Sequence, residues 1–89
     1  MFYQFRNFYI PMRMKDSILN YIENKKQPGQ FLTAIITNSL KEAVAHADEE
    51  NCKNIPAYVG YFCNEAPMAC WGSEKIMNNW LKTNKEFSY

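Results

Sequence analysis

Apolar positions recur along most of the chain with the three- and four-residue spacing of α-helices. Residues 12–24 carry one such stripe and end at a turn over residues 25–29, where proline and glycine stop a helix. Residues 55–66 carry another stripe, which begins near Pro56 and ends before Pro67. Because Cys63 lies on this second stripe, we expect its thiol in the core. Ser73 has the side chain of a helix N-cap and predicts a last helix through Trp80 and Leu81.

The stretch over residues 31–49 permits two interpretations. Its apolar residues keep helical spacing throughout, which is typical of one helix that continues to about residue 49. Ser39 and Glu42, however, have the spacing of a capping box, which starts a new helix after a break at residues 37–39. We favour two helices and keep the single helix as the alternative.

Residues 1–11 have a different character, because five of the fourteen aromatic residues fall in the first nine positions. Their spacing is too irregular for a helix, so we expect an extended arm or a short strand that packs on its own domain or on a neighbouring subunit. The predicted fold is therefore all-α, a small bundle of four to five short helices with an extended aromatic N-terminal arm. The helical domain covers residues 12–82, and residues 83–89 form a C-terminal tail.

Size and charge limit the partners. A chain of 89 residues builds a small core, yet 47% of its residues are hydrophobic. We therefore expect a homo-oligomer that covers part of this apolar surface. The net charge is only +1 and the basic residues form no large cluster, which argues against binding to duplex nucleic acid. No segment has the pattern of a signal peptide or the apolar length of a membrane span, so we expect no membrane association and reduced cysteines.

Catalytic and metal-binding patterns are absent from the sequence. His46 is the only histidine, and the spacings between Cys52, Cys63 and Cys70 are not those of a zinc site. We therefore predict that the chain is not an enzyme and has neither a metal nor a cofactor. For His46 the simpler interpretation is a solvated or hydrogen-bonded side chain.

Two glycine-containing segments are the candidates for ligand binding. Pro28 and Gly29 precede one predicted helix, and Trp71, Gly72 and Ser73 precede another. Backbone N–H groups at such positions can hold an anion, and an indole can stack on a base. Polar amides beside apolar positions, at Asn38 and Asn64, are candidate readers of a ligand. The alternative is that Pro28-Gly29 is a turn, Ser73 a cap, Trp71 a core residue and Asn38 a helix cap.

The assembled pattern resembles a group of small proteins common in tailed-phage genomes. The resemblance rests on four segments, namely Pro28-Gly29-x-Phe31-Leu32-x-Ala34-Ile35-x-x-Asn38, Ala47-Asp48-x-x-Asn51, Asn64-x-Ala66-Pro67 and Cys70-Trp71-Gly72-Ser73. It covers residues 12–82 and excludes the aromatic arm. Ser39 departs from the acidic residue expected after Asn38.

The resemblance implies a function by context, without assigning catalytic residues. Small phage accessory proteins often act by binding, and a frequent target is host defence. We therefore expect a phage protein in the host cytoplasm that counters bacterial immunity by binding a nucleotide immune signal or a bacterial defence protein. The alternative is a structural or regulatory protein–protein interaction module without a role in defence.

Overall fold

The computed structural model describes residues 1–86, with side chains through residue 82. Two short strands, β1 (Tyr3–Phe5) and β2 (Phe8–Ile10), precede the helices. Six α-helices follow within the described residues: α1 (Lys15–Asn24), α2 (Gln30–Ile36), α3 (Leu40–His46), α4 (Glu49–Lys53), α5 (Ile55–Asn64) and α6 (Glu74–Glu86). The protein is therefore mainly helical, which confirms that part of the prediction, but it has a small two-stranded sheet and six described α-helices in place of an all-α bundle of four to five. Residues 87–89 of the predicted tail lie outside the described residues.

The aromatic arm is an antiparallel β-hairpin, with Tyr3 opposite Ile10 and Phe5 opposite Phe8. Its rings pack on α5 of the same chain. The ring of Tyr61 lies 5.3 Å from the ring of Phe2 and 5.4 Å from that of Tyr3, centroid to centroid. The hairpin thus buries much of its apolar surface on its own domain, because a two-stranded ribbon is stable only when it packs on another element.

Helix α5 lies at the centre of the core. Four of its side chains are buried, and they follow one face at helical spacing: Ala57, Tyr58, Tyr61 and Phe62. The prediction that Cys63 is a core residue is wrong, since its thiol is exposed. Cys63 follows Val59 by four residues, and Val59 is 40% exposed, so both side chains belong to the outer edge of the stripe.

A break between α2 and α3 confirms the interpretation as two helices. Asn38 has a φ of 63°, the left-handed conformation that often ends a helix. The N–H of Asn38 donates to the carbonyl of Ile35, and the N–H of Ser39 donates to the carbonyl of Ala34, which together form a Schellman motif. The predicted capping box does not form. The Ser39 hydroxyl lies 3.3 Å from the Thr37 hydroxyl instead, and the Glu42 carboxylate lies near His46.

Polar side chains join the hairpin to α4 and the start of α5, in a set that we call the α4 network. The buried amide of Asn54 accepts from the N–H of Tyr9 at 2.9 Å and donates to the carbonyl of Glu50 at 2.9 Å. The Glu50 carboxylate accepts from the Tyr9 hydroxyl and the Arg13 guanidinium. The network also contains Asp48, Asn51 and Tyr58.

Helix α6 directly follows Ser73, whose hydroxyl accepts from the N–H of Ile76 at 3.1 Å, so the predicted N-cap is confirmed. The indole N–H of Trp80 donates to the carbonyl of Tyr21 and fastens α6 to α1. None of the helices in the described part of the chain combines the length and apolarity that crossing a membrane requires.

Candidate functional site

An open cleft of about 400 Å³ lies between the turn that precedes α2 and the facing sides of α2 and α3. We call it the polar cleft, because most of its lining side chains carry amide, hydroxyl, carboxylate or imidazole groups. Its lining consists of Gln27, Pro28, Gly29, Gln30, Thr33, Ala34, Thr37, Ser39, Glu42 and His46. The volume is within the range of small-molecule sites.

The walls of the polar cleft follow from the sequence of α2. Gln30, Thr33 and Thr37 repeat at the spacing of one helix face, whereas the apolar residues between them are buried. The Thr37 hydroxyl donates to the carbonyl of Thr33 at 2.8 Å, and the Thr33 hydroxyl donates to the carbonyl of Pro28 at 3.3 Å. These local hydrogen bonds fix the threonine rotamers, so the wall has a defined shape before any ligand enters.

The titratable side chains that line the polar cleft are Glu42 and His46, which lie one helical turn apart on α3. The imidazole Nε2 and the carboxylate Oε2 are 3.4 Å apart, and both side chains are partly exposed. No lysine or arginine is among the lining residues. The cleft therefore offers hydrogen bonds to uncharged polar groups, and its carboxylate repels an anion that approaches α3.

The structure distributes the predicted site residues over several places. Pro28 and Gly29 line the polar cleft. Asn38 borders a separate small pocket of about 40 Å³ beside Leu40 and Val59. Asn64 lines an apolar groove on α5. Neither amide is therefore among the groups that line the polar cleft.

The second predicted segment, Trp71 to Ser73, takes part in the packing of the fold. The half-buried Trp71 ring stacks on the buried Phe62 ring, with centroids 5.7 Å apart. The Gly72 N–H donates to the carbonyl of Ile36 at 2.7 Å, and the Ser73 hydroxyl caps α6. These groups already have intramolecular partners, so binding of an anion by the Gly72 N–H or the Ser73 hydroxyl would require exchange of those contacts.

Sequence reasoning missed most of the lining of the polar cleft. The sequence does offer a signal for Thr33 and Thr37, because these polar residues interrupt the apolar stretch of α2 at helical spacing. Glu42 was assigned to a capping box, and His46 was interpreted without a partner. The contact between Glu42 and His46 was detectable from their four-residue separation, since such pairs are neighbours on a helix surface.

Metal and thiol chemistry find little support in the geometry. No group of three or more metal-ligating side chains comes together within the described residues. Burial raises the pKa of the Cys70 thiol to about 11, so this thiol is protonated and unreactive at neutral pH.

Comparison of the chain with protein-family models, with curated proteins and with solved structures finds no match.

Proposed function

We propose that this chain is a non-catalytic phage accessory protein that counters bacterial immunity by binding, and that it acts as a homo-oligomer in the host cytoplasm. In the favoured mode it sequesters a nucleotide immune signal. The observation that carries this proposal is the polar cleft, which is open to solvent, about 400 Å³ in volume and lined by amides and hydroxyls.

The chemistry of the cleft defines the orientation of such a ligand. Gln27 and Gln30 can pair with the donor and acceptor edge of a base, and the hydroxyl groups suit a ribose. The phosphates remain at the open mouth, where solvent screens them from the Glu42 carboxylate. This orientation is the reverse of a phosphate-first site, which would need cations or the N-terminus of a long helix. Helix α2 has only seven residues and so contributes little dipole.

The test is a native mass measurement of the protein after incubation with cyclic and ADP-ribose-type nucleotides. We expect a bound mass on the wild-type protein. Gly29 has no other atom within 4 Å of the position that a Cβ would occupy, so Gly29→Phe places a ring in open space at the cleft and should remove the bound mass. The matched control is Asn79→Phe, an exposed position on α6, which should bind like wild type.

The Glu42→Gln variant provides a second, independent test of nucleotide binding in the polar cleft. Solvent screens the phosphates from the Glu42 carboxylate only in part, so removal of this carboxylate should tighten binding of the nucleotide about two- to fivefold. The affinity for the corresponding uncharged nucleoside should not change. Absence of a bound mass on wild-type protein across the nucleotide panel would refute sequestration.

The second candidate is a protein–protein interaction, and the exposed apolar face of α3 favours it. Leu40 is 69% exposed and Val44 is 49% exposed, and the two side chains lie one turn apart. In one version the partner is a bacterial defence protein, and in the other the chain is a structural or regulatory module without a defence role.

Phage growth separates these versions. A phage that carries Leu40→Glu and Val44→Glu should lose plating efficiency only on hosts with a defence system if the partner is a defence protein. If the chain is an interaction module without a defence role, the same phage should lose plating efficiency on every host. Normal plating of this phage on all hosts would exclude the α3 face from either role.

A further inference from the structure

A short chain of hydrogen bonds sets the orientation of the Gln27 amide in the wall of the polar cleft. The Thr33 hydroxyl donates its one proton to the carbonyl of Pro28 at 3.3 Å. Its oxygen then serves only as an acceptor, and it accepts from Nε2 of Gln27 at 3.2 Å. With the amide turned over, Oε1 of Gln27 would face the lone pairs of the Thr33 hydroxyl, so the hydrogen bonds select one orientation.

The Oε1 atom of Gln27 is therefore an oriented acceptor. Among the described residues, no N–H or O–H group donates to it. An amino group of a ligand can donate a hydrogen bond to this oxygen. A carbonyl oxygen at the same place would meet it lone pair to lone pair and would lose its hydrogen bonds to water without replacement.

The hydroxyl groups on the same wall also present acceptors to a ligand. The Thr37 proton goes to the carbonyl of Thr33 at 2.8 Å, so Ser39 donates in the 3.3 Å contact between the Thr37 and Ser39 hydroxyls. The Glu42 carboxylate adds further acceptor atoms, and no lysine or arginine lines the cleft. The side chains of the cleft thus present more acceptors than free donors, which favours a ligand that brings its own donors.

We infer that the polar cleft selects nucleotides whose base carries an exocyclic amino group, and that Oε1 of Gln27 accepts the hydrogen bond from this group. Adenine and guanine carry such a group. Hypoxanthine has a carbonyl oxygen in place of the adenine amino group and a hydrogen atom in place of that of guanine. Thr33 is a positioning residue, because it acts on the base only through the Gln27 amide. This inference rests on nucleotide capture in the proposed function and names the chemistry by which the base is read.

Titration followed by native mass measurement tests the selection on the intact protein. The probes are cyclic di-AMP, cyclic di-GMP and cyclic di-IMP, together with ADP-ribose and its hypoxanthine analogue. We expect wild-type protein to bind an amino-bearing probe at least about tenfold more tightly than the matching hypoxanthine probe. A comparison of cyclic di-AMP with cyclic di-GMP shows whether the adenine or the guanine amino group is read.

Variants of Gln27 and Thr33 test the assignment to this pair. Gln27→Met keeps the length of the side chain but removes the acceptor, so the amino-bearing and hypoxanthine probes should bind nearly equally. Thr33→Val frees the Gln27 amide to turn and donate to a carbonyl oxygen, so the hypoxanthine probe should bind more tightly than it binds to wild type. Thr33→Ser keeps the hydroxyl and should keep the wild-type preference.

The matched control is Gln4→Met, which changes an exposed glutamine on β1, outside the polar cleft, and should bind like wild type. The measured quantity is the ratio of two affinities for the same variant. A partial loss of folded protein lowers the signal of both probes equally and leaves this ratio unchanged, so the test does not depend on equal stability of the variants.

The outcomes separate base selection from nucleotide capture. Equal binding of amino-bearing and hypoxanthine probes by wild-type protein, or tighter binding of the hypoxanthine probe, overturns the selection and leaves capture standing. A preference for the amino group that persists in both Gln27→Met and Thr33→Val overturns the assignment to Gln27. Absence of a bound mass with every nucleotide overturns capture itself, and the selection with it.

Discussion

The α4 network and the polar cleft are made of similar residues but use them differently. In the α4 network, amides, tyrosine hydroxyls, carboxylates and a guanidinium bond to one another and to the backbone across elements that are far apart in sequence. In the polar cleft, the hydrogen bonds are local, within α2, within α3 and between α2 and the turn before it, and the side chains line open space. Polar groups that satisfy each other stabilise the fold, and those that face a cavity remain accessible to a ligand.

The largest loss of stability is expected from Asn54→Ala in the α4 network. The Asn54 side chain is almost fully buried and bonds both the Tyr9 N–H and the Glu50 carbonyl. Its loss leaves both groups without a partner and should lower the free energy of unfolding by about 2–3 kcal/mol. Urea denaturation measures this change. Asn79→Ala, at an exposed position, is the control, and equal stability of the two variants would contradict the role assigned to Asn54.

A smaller loss is expected from Tyr58→Phe. The buried Tyr58 hydroxyl donates to the side-chain oxygen of Asn51, and burial raises the pKa of this tyrosine well above its ordinary value. Removal of the hydroxyl should cost about 1–2 kcal/mol of unfolding free energy. Tyr3→Phe serves as the control, because the Tyr3 hydroxyl makes no hydrogen bond among the described residues. Similar melting temperatures for both variants would show that the Tyr58 bond contributes little.

A still smaller loss of stability is expected at low pH, through the exposed ion pairs of the α4 network. The Asn51 N–H holds the pKa of Asp48 below its ordinary value, and the Tyr9 hydroxyl does the same for Glu50, with Arg13 adding to both. Because these folded-state pKa values are depressed, their stabilisation is present above the ordinary carboxyl range and is lost as the pH falls below about 4. The free energy of unfolding of Arg13→Ala should therefore fall less steeply than that of wild type over roughly pH 5 to 2. An unchanged pH profile would argue against the ion pairs.

The smallest effect on stability is expected in the polar cleft. Glu42 is 58% exposed and, among the described residues, pairs only with His46 on the same helix, so Glu42→Gln should change the free energy of unfolding by no more than about 0.5 kcal/mol. The same variant is predicted to change ligand affinity, which sharpens the contrast with Asn54. A large destabilisation by Glu42→Gln would mean that the cleft, too, is structural.

Much of the helical framework was predictable, because it depends on local properties of the chain. The stripe over residues 12–24 corresponds to a short 3-10 turn followed by α1, and Asn54-Ile55-Pro56 begins α5 as its proline suggested. The turn at Pro28 and Gly29, the break after Thr37 and the cap at Ser73 also follow from residue type and spacing, since helix ends are determined within a few residues.

Tertiary structure decided the rest, since it depends on contacts between distant segments. Periodicity placed Cys63 on an apolar stripe but could not say how wide a face the hairpin would cover, and Cys63 remained outside. The fold also brings Tyr9 against Glu50 and Arg13 against Asp48, from a distant part of the sequence, and no local pattern indicates these contacts. The polar cleft exists only because the Asn38 turn folds α3 back beside α2, which brings His46 of α3 and Pro28 ahead of α2 to one cavity. Spacing determines which face a residue occupies, whereas packing determines what that face meets.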